Sequence, residues 1–335
     1  KDCVLVLLAA GANISARDLT GATPLHSAVF WNARLSMDTL VLAGADVNAR
    51  DFSGASPLFE AVRRQDVSAA RWLLDRGADP SARNDAGRTP LHDAAANGDL
   101  ASVQLFLSAW TSPNIRGDGG ATALHAAVAA DRLNVVPALT ARGADIHARN
   151  FAGETPLTLA LGRGPEALRA LLTGEAVRAL DSDGRSVLHV ILDSRPTAGF
   201  VEIALAAGAR TGDRDRAGAT ALHAAVVRGH PEIVSRLAAG GADIHARDRA
   251  GNSPLSLAMA AGTDALGALV TGENVNSRDL LGNTPLHFAA HSGNAAAAEF
   301  LLSLGADRAF RNSSGDTASA AAEKRGHRDL AGRLR

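Results

Sequence analysis

Eleven histidines and one cysteine are the residues of this 335-residue chain best suited to proton transfer or soft-metal binding. His26, His92, His125, His189, His223 and His287 each close a four-residue string of the form Thr/Ser-Pro-Leu-His or a near variant. A lone imidazole in such a place serves as a general base, a zinc ligand or a buried hydrogen-bonding group. These six recur at multiples of roughly 33 residues, the length of one supersecondary unit. Spread one to a layer, they lie too far apart for the roughly 2 Å bonds of a shared zinc, so a structural role is expected for all six. His147 and His245 form a second related pair, read either as pH-responsive groups or as hydrogen-bonding substitutes for Asn, with the substitute preferred. Cys3 stands alone, which excludes an internal disulfide and a cysteine-rich zinc site. GDGG at 117–120 lacks the Lys and the strand-to-helix setting of a phosphate loop and reads as a turn. No Ser-His-Asp set or paired carboxylates stand out, so no catalytic residue, cofactor or metal is expected.

Composition narrows the remaining classes. The chain carries 34 basic and 35 acidic residues, a formal charge of −1, and so has no global field to draw it onto nucleic acid. Only Lys1 and Lys324 are lysines, leaving 32 arginines, whose planar forks suit the gripping of carboxylates. No apolar run approaches the roughly 20 residues that span a bilayer. The expectation is a monomer without nucleic-acid binding or membrane insertion, preferentially cytoplasmic. Aromatics make up 4%, Tyr is absent and Gly numbers 33, so the core must be thin and layered, built from Leu, Val and Ala.

The elements that position these residues are set by self-similarity. The tetrapeptide begins at Thr23, Ser56, Thr89, Thr122, Thr155, Ser186, Thr220, Ser253, Thr284 and, in degenerate form, Thr317. All but the one at Thr122 are preceded by a Gly 12 residues earlier, as at Gly11, Gly77, Gly174 and Gly272, so the connector has fixed length. Spacings of 31 after Thr155 and Ser253 place deletions in the helical half. Thr or Ser supplies an N-cap, Pro fits the first helical turn, and an Ala-rich first helix follows. After a break such as Asn97-Gly98, a second helix runs through Val103, Leu105, Phe106 and Leu107 to a Gly that can take the left-handed conformation. The residues beyond, as in VNARDFSGA at 47–55, have turn chemistry and suit an exposed hairpin.

These units resemble ankyrin repeats, most fully in GADVNARDFSGASPLFEA at 44–61 and DLLGNTPLHFAA at 279–290. The resemblance implies an all-α solenoid of stacked helix pairs with projecting β-hairpin loops, in which the repeat histidines bond to neighbouring backbone and tie one hairpin to the next. It implies a single domain over 1–335: a truncated repeat at 1–19, repeats at 20–52, 53–85, 86–118, 119–151, 152–182, 183–216, 217–249, 250–280 and 281–313, and a polar cap at 314–335. The start reads as a second helix whose first helix lies upstream. The segment at 143–162 recurs at 241–260, 98 residues on, which reads as duplication of a three-repeat block.

In this family a protein partner meets the exposed face of the first helices and the hairpin tips. The matching positions, seven and eight after the cap, hold Phe30 and Trp31 in one repeat and Arg63 and Arg64 in the next. Aromatic and Arg side chains are the types over-represented at binding hot spots. The other reading folds Phe30 and Trp31 into the joint between repeats. Phe52 and Phe151 place apolar groups at hairpin tips, and Trp110 replaces a helix-ending Gly, as a packing repair or an anchor. Arg116-Gly117-Asp118 spells an integrin-type triplet, which chance readily supplies. Trp72 on a second helix is expected in the core. The function expected is a non-catalytic scaffold for an unidentified protein partner, the alternative being a spacer or regulatory region of a larger protein.

Overall fold

The computed structural model describes residues 2–109, 111–117 and 119–335. It contains twenty-one α-helices and no strand among these residues. They group into two compact units, residues 1–179 and 180–335.

In the first unit α1 (Asp2–Ala9) precedes five helix pairs: α2 and α3 (Pro24–Phe30, Arg34–Leu42), α4 and α5 (Pro57–Arg63, Val67–Leu74), α6 and α7 (Pro90–Asn97, Leu100–Ser108), α8 and α9 (Ala123–Ala129, Val136–Thr140), and α10 and α11 (Pro156–Arg163, Pro165–Leu171). A 3-10 turn at Gly174–Arg178 follows. The first helices α2, α4, α6, α8 and α10 pack in one row, and α5, α7, α9 and α11 in a second row behind it. The second unit repeats the scheme with α12 and α13 (Val187–Ser194, Ala198–Ala206), α14 and α15 (Pro231–Ala239 for α15, Ala221–Val227 for α14), α16 and α17 (Pro254–Ala261, Thr263–Leu269), α18 and α19 (Pro285–His291, Ala295–Ser303), and α20 and α21 (Ala318–Lys324, Arg328–Arg333).

The tetrapeptide Leu is what each layer buries: Leu25, Leu58, Leu91, Leu124 and Leu157 in the first unit, Leu188, Leu222, Leu255 and Leu286 in the second. Three residues later a small side chain, Ala61, Ala94, Ala127 or Ala160, is fully buried and lets the helices approach. Phe59, Leu73, Phe106 and Leu139 fill the space between rows. Each such Leu brings roughly 1.5–3 kcal/mol on burial, which is why helices of five to nine residues, too short to persist alone, hold as an array.

The connectors are hairpin-shaped turns without ladders, a reduced form of the expected β-hairpin loops. Asp18 Oδ1 accepts the Thr20 and Ala22 amides at 2.8 and 3.0 Å, closing an Asx turn that Asp51 and Asp215 reproduce. Neighbouring turns share a single backbone bond, as from the Phe52 amide to the Thr20 carbonyl at 2.9 Å and from Phe151 to Gly119 at 2.8 Å. One bond per joint makes no sheet. Arginine supplies a second strap: Arg17, Arg83 and Arg116 each donate to the carbonyl of the residue 33 positions on, Arg50, Arg116 and Arg149, at 2.5, 2.5 and 3.0 Å. Much of the arginine surplus thus serves backbone carbonyls, while other arginines, such as Arg50 on Asp85 at 2.9 Å, meet carboxylates.

The shortened repeats lose their two residues from the turn between helices. Three residues, 64–66, join α4 to α5, whereas Gly164 alone joins α10 to α11 and Gly262 alone joins α16 to α17. Both glycines adopt φ near +120° with an extended ψ, a region essentially closed to other residues.

Candidate functional site

The six repeat histidines are buried polar groups with possible chemistry, and the structure gives them one geometry. In α2 the Thr23 amide donates to His26 Nδ1 at 3.1 Å, so Nδ1 carries a lone pair and Nε2 carries the proton. Nε2 donates to the Ala55 carbonyl of the next connector at 3.1 Å. His92 on Ala121, His125 on Glu154, His189 on Ala219, His223 on Asn252 and His287 on Asp316 repeat the bond at 3.0–3.2 Å. Burial pushes His26, His92, His125, His189 and His223 below the ordinary imidazole value, and the carbonyl bond opposes it in part. Both ring nitrogens are occupied, which leaves none for a substrate or metal. Among the described residues no group of three or more His, Cys, Asp or Glu could hold a metal ion.

Where the tetrapeptide lacks His, the tie moves. Thr158 and Ser256 occupy the position and accept the cap amide through a hydroxyl, at 2.8 and 2.9 Å. Neither reaches the next connector. His147 and His245, eleven residues earlier, do so instead: His147 Nε2 meets the Ala179 carbonyl at 3.1 Å and His245 Nε2 the Ser277 hydroxyl at 3.0 Å. Both precede a 31-residue spacing, where the next Gly-Ala-Asp is missing. Its partner elsewhere is Asn: Asn48 Nδ2 donates to the Gly77 carbonyl and Asn48 Oδ1 accepts the Asp79 amide. The pairing of T-P-L-T or S-P-L-S with G-A-D-I-H is visible in the sequence, and only its purpose needed coordinates. In the second repeat Phe59 stands in the His position, fully buried, and the Ser56 hydroxyl is left without a partner.

Phe30, Trp31, Arg63 and Arg64 converge at the ends of α2 and α4 on an open groove of about 560 Å³, whose connector side carries Asp18, Thr20 and Asp51. Phe30 and Trp31 meet edge to face, centroids 4.9 Å apart at 87°. The Arg64 guanidinium lies over the Phe30 ring, 4.7 Å from its centroid. Arg63 pairs with Glu60, a buried carboxylate that faces the groove and that sequence position alone did not single out. Phe30 is 39% exposed and Trp31 75%, so the two rings support each other without being covered. Trp31 sits on a ridge, its other side lining an apolar cavity of about 320 Å³ with Leu7, Leu8 and Leu40.

The other expected anchors lie apart. Phe52 is 67% exposed and closes over Gly21, where a Cβ would fall 2.5 Å from its ring. Phe151, 79% exposed, covers Gly120 in the same way, three connectors on. Trp110 and Asp118 lie outside the described residues; Arg116 of the triplet is bound to the Arg149 carbonyl. Trp72 is buried, its Nε1 donating to Asp38 at 3.0 Å beneath the Arg76 guanidinium, which pins α5 to α3.

Comparison with known proteins bears on this arrangement. A family model described as ankyrin repeats in three copies matches residues 58–150, 195–279 and 255–334, and a single ankyrin repeat model matches 20–52. The mouse B-cell lymphoma 3 protein homolog is 37% identical over 123 residues, which is 35% of this chain and 27% of that protein. Among the described residues no helix is long and apolar enough to cross a membrane.

Proposed function

Because the chain belongs to the ankyrin repeat family, whose members are generally protein-interaction modules, we propose that it is a non-catalytic scaffold that binds a protein through the groove between α2 and α4. The observation that carries the reading is the exposed Trp31, held edge-on to Phe30 with the Arg64 guanidinium stacked on the other ring. A large aromatic left in water at such a cost in solvation, beside cations, has the composition of a binding hot spot. Trp31 and Phe30 supply apolar area, Arg64 supplies a carboxylate or carbonyl contact, and the connector tips at Thr20 and Phe52 form the rim.

Capture from a lysate with the parent chain and with a Trp31→Ala, Arg64→Ala variant, followed by affinity measurement on each purified partner, tests this. Both side chains are exposed, so the variant should keep the parent's circular dichroism. The reading expects at least a tenfold loss of affinity, about 1.4 kcal/mol or more. Equal affinity of the two chains for every captured partner contradicts it.

A further inference from the structure

The second unit carries a groove system unlike the first. Two open depressions, about 360 and 420 Å³, lie along α16, α18 and α20 and share Arg247, Phe288 and His291 as their dividing ridge. Lys324 and Arg325 stand on the far wall of the first. Asp316 is the one carboxylate among the residues that line either depression, and Lys324 neutralises it at 2.7 Å. Arg247 donates to the Gly251 carbonyl at 3.0 Å, and neither it nor Arg325 pairs with a carboxylate among the described residues. The apolar floor between these cations is the half-buried ring of Phe288, beside buried Met259.

We infer that this face is a second binding site, which takes an extended acidic peptide whose carboxylates meet Arg247 and Arg325 and whose apolar side chain lies on Phe288. Cations gathered without counter-charges around an apolar patch repel one another until an anion arrives, so the complementary ligand is acidic with a hydrophobic centre. His291 reports that field: burial, Arg325 and His327 all hold its imidazole below the ordinary value. A carboxylate bound there relieves the repulsion and favours the charged ring. The groups facing His291 are Arg247 from the connector, Lys324 and Arg325 at the end of α20, His327 at the start of α21, and Asp316. A nucleic acid fits less well, because two arginines without a carboxylate partner, in a chain of net charge −1, supply little field for a phosphate backbone. The site does not depend on the groove between α2 and α4.

Fluorescence anisotropy on the full chain, with fluorescein-labelled Glu-Glu-Leu-Glu-Glu and its Gln-Gln-Leu-Gln-Gln counterpart as probes, tests the inference. The acidic peptide should bind more tightly than the glutamine peptide, more tightly at pH 6 than at pH 8, and less tightly as salt rises. Arg325→Glu, on an exposed side chain, should weaken it about tenfold, as should Ala321→Glu, which lines the same wall. His291→Asn should remove most of the pH dependence. Trp31→Ala with Arg64→Ala should leave it unchanged, which separates this site from the first. Equal binding of the two peptides, no binding of either, or full affinity in both charge variants overturns the inference. Tighter binding of a twenty-residue oligo-dT, lost in the same variants, overturns the peptide assignment.

Discussion

At the scale of single residues, the repeat imidazole works only when neutral. Its Nδ1 must accept the cap amide while Nε2 donates to the next connector, and a proton on Nδ1 turns the first contact into a clash of donors. Folding lowers the affinity of His26, His92, His125, His189 and His223 for protons, so the unfolded chain binds more of them below its ordinary value of about 6.5. The stability these groups add is therefore present above that pH and is lost as pH falls through the depressed folded values. The melting temperature should drop between pH 7 and 5. A His189→Thr variant, which copies the arrangement at Thr158, should lose about 1–3 kcal/mol at pH 7.5 through the orphaned Ala219 carbonyl. It should also lose less than the parent on acidification. Denaturant melts of both chains at the two pH values check this; a parent more stable at pH 5 would refute the neutral-ring account. That these histidines share no metal could be read from their spacing, one imidazole per layer, whereas their tie to the next connector was implied only by the resemblance to ankyrin repeats. The transfer of the tie to His147 and His245 could not, since it depends on which carbonyl lies within reach after a two-residue deletion.

At the scale of the element, the turn between paired helices sets both geometry and local strain. Four of the ten pairs turn through a left-handed glycine, at Gly98, Gly229, Gly293 and Gly326. Asn32, Gln65 and Asp131 take the same region with φ of 48°, 54° and 57°. Asn and Asp tolerate it, whereas Gln has no local bond to offset the crowding of its Cβ. Gln65→Gly should raise stability by up to about 1 kcal/mol, read as a higher urea midpoint with unchanged slope. A lower midpoint would show that the side chain holds something in place. Gly164 is the converse. No heavy atom lies within 4 Å of a Cβ added there, so Gly164→Ala tests conformation alone and should cost about 1–3 kcal/mol. The sequence located the deletion in the helical half of the repeat, and its place in the turn follows from packing: both helices keep seven or eight residues, because either one shortened would pull a buried Leu from its layer.

At the scale of the molecule, the period does most of the explaining. Ten tetrapeptides in register specified the helix pairs, the buried Leu of each layer and the exposed offsets that hold Phe30, Trp31, Arg63 and Arg64. What the period could not carry was anything that depends on neighbours brought together across it: the buried Glu60 beside Arg63, the Arg64 stacked on Phe30, and the straps from arginine to carbonyls where carboxylates were the expected partners. Within each unit the main contacts of a helix pair are with the adjacent pairs, so a bound protein should protect a local stretch and leave distant repeats untouched. The most direct measurement is hydrogen–deuterium exchange of the chain with and without a purified partner obtained by capture. Slowed exchange at Phe30 and Trp31 and across Arg63–Gln65, with little change in α8 to α11, is the result predicted for a scaffold that binds through the groove between α2 and α4. Unchanged exchange at these residues, with protection confined elsewhere, would contradict it.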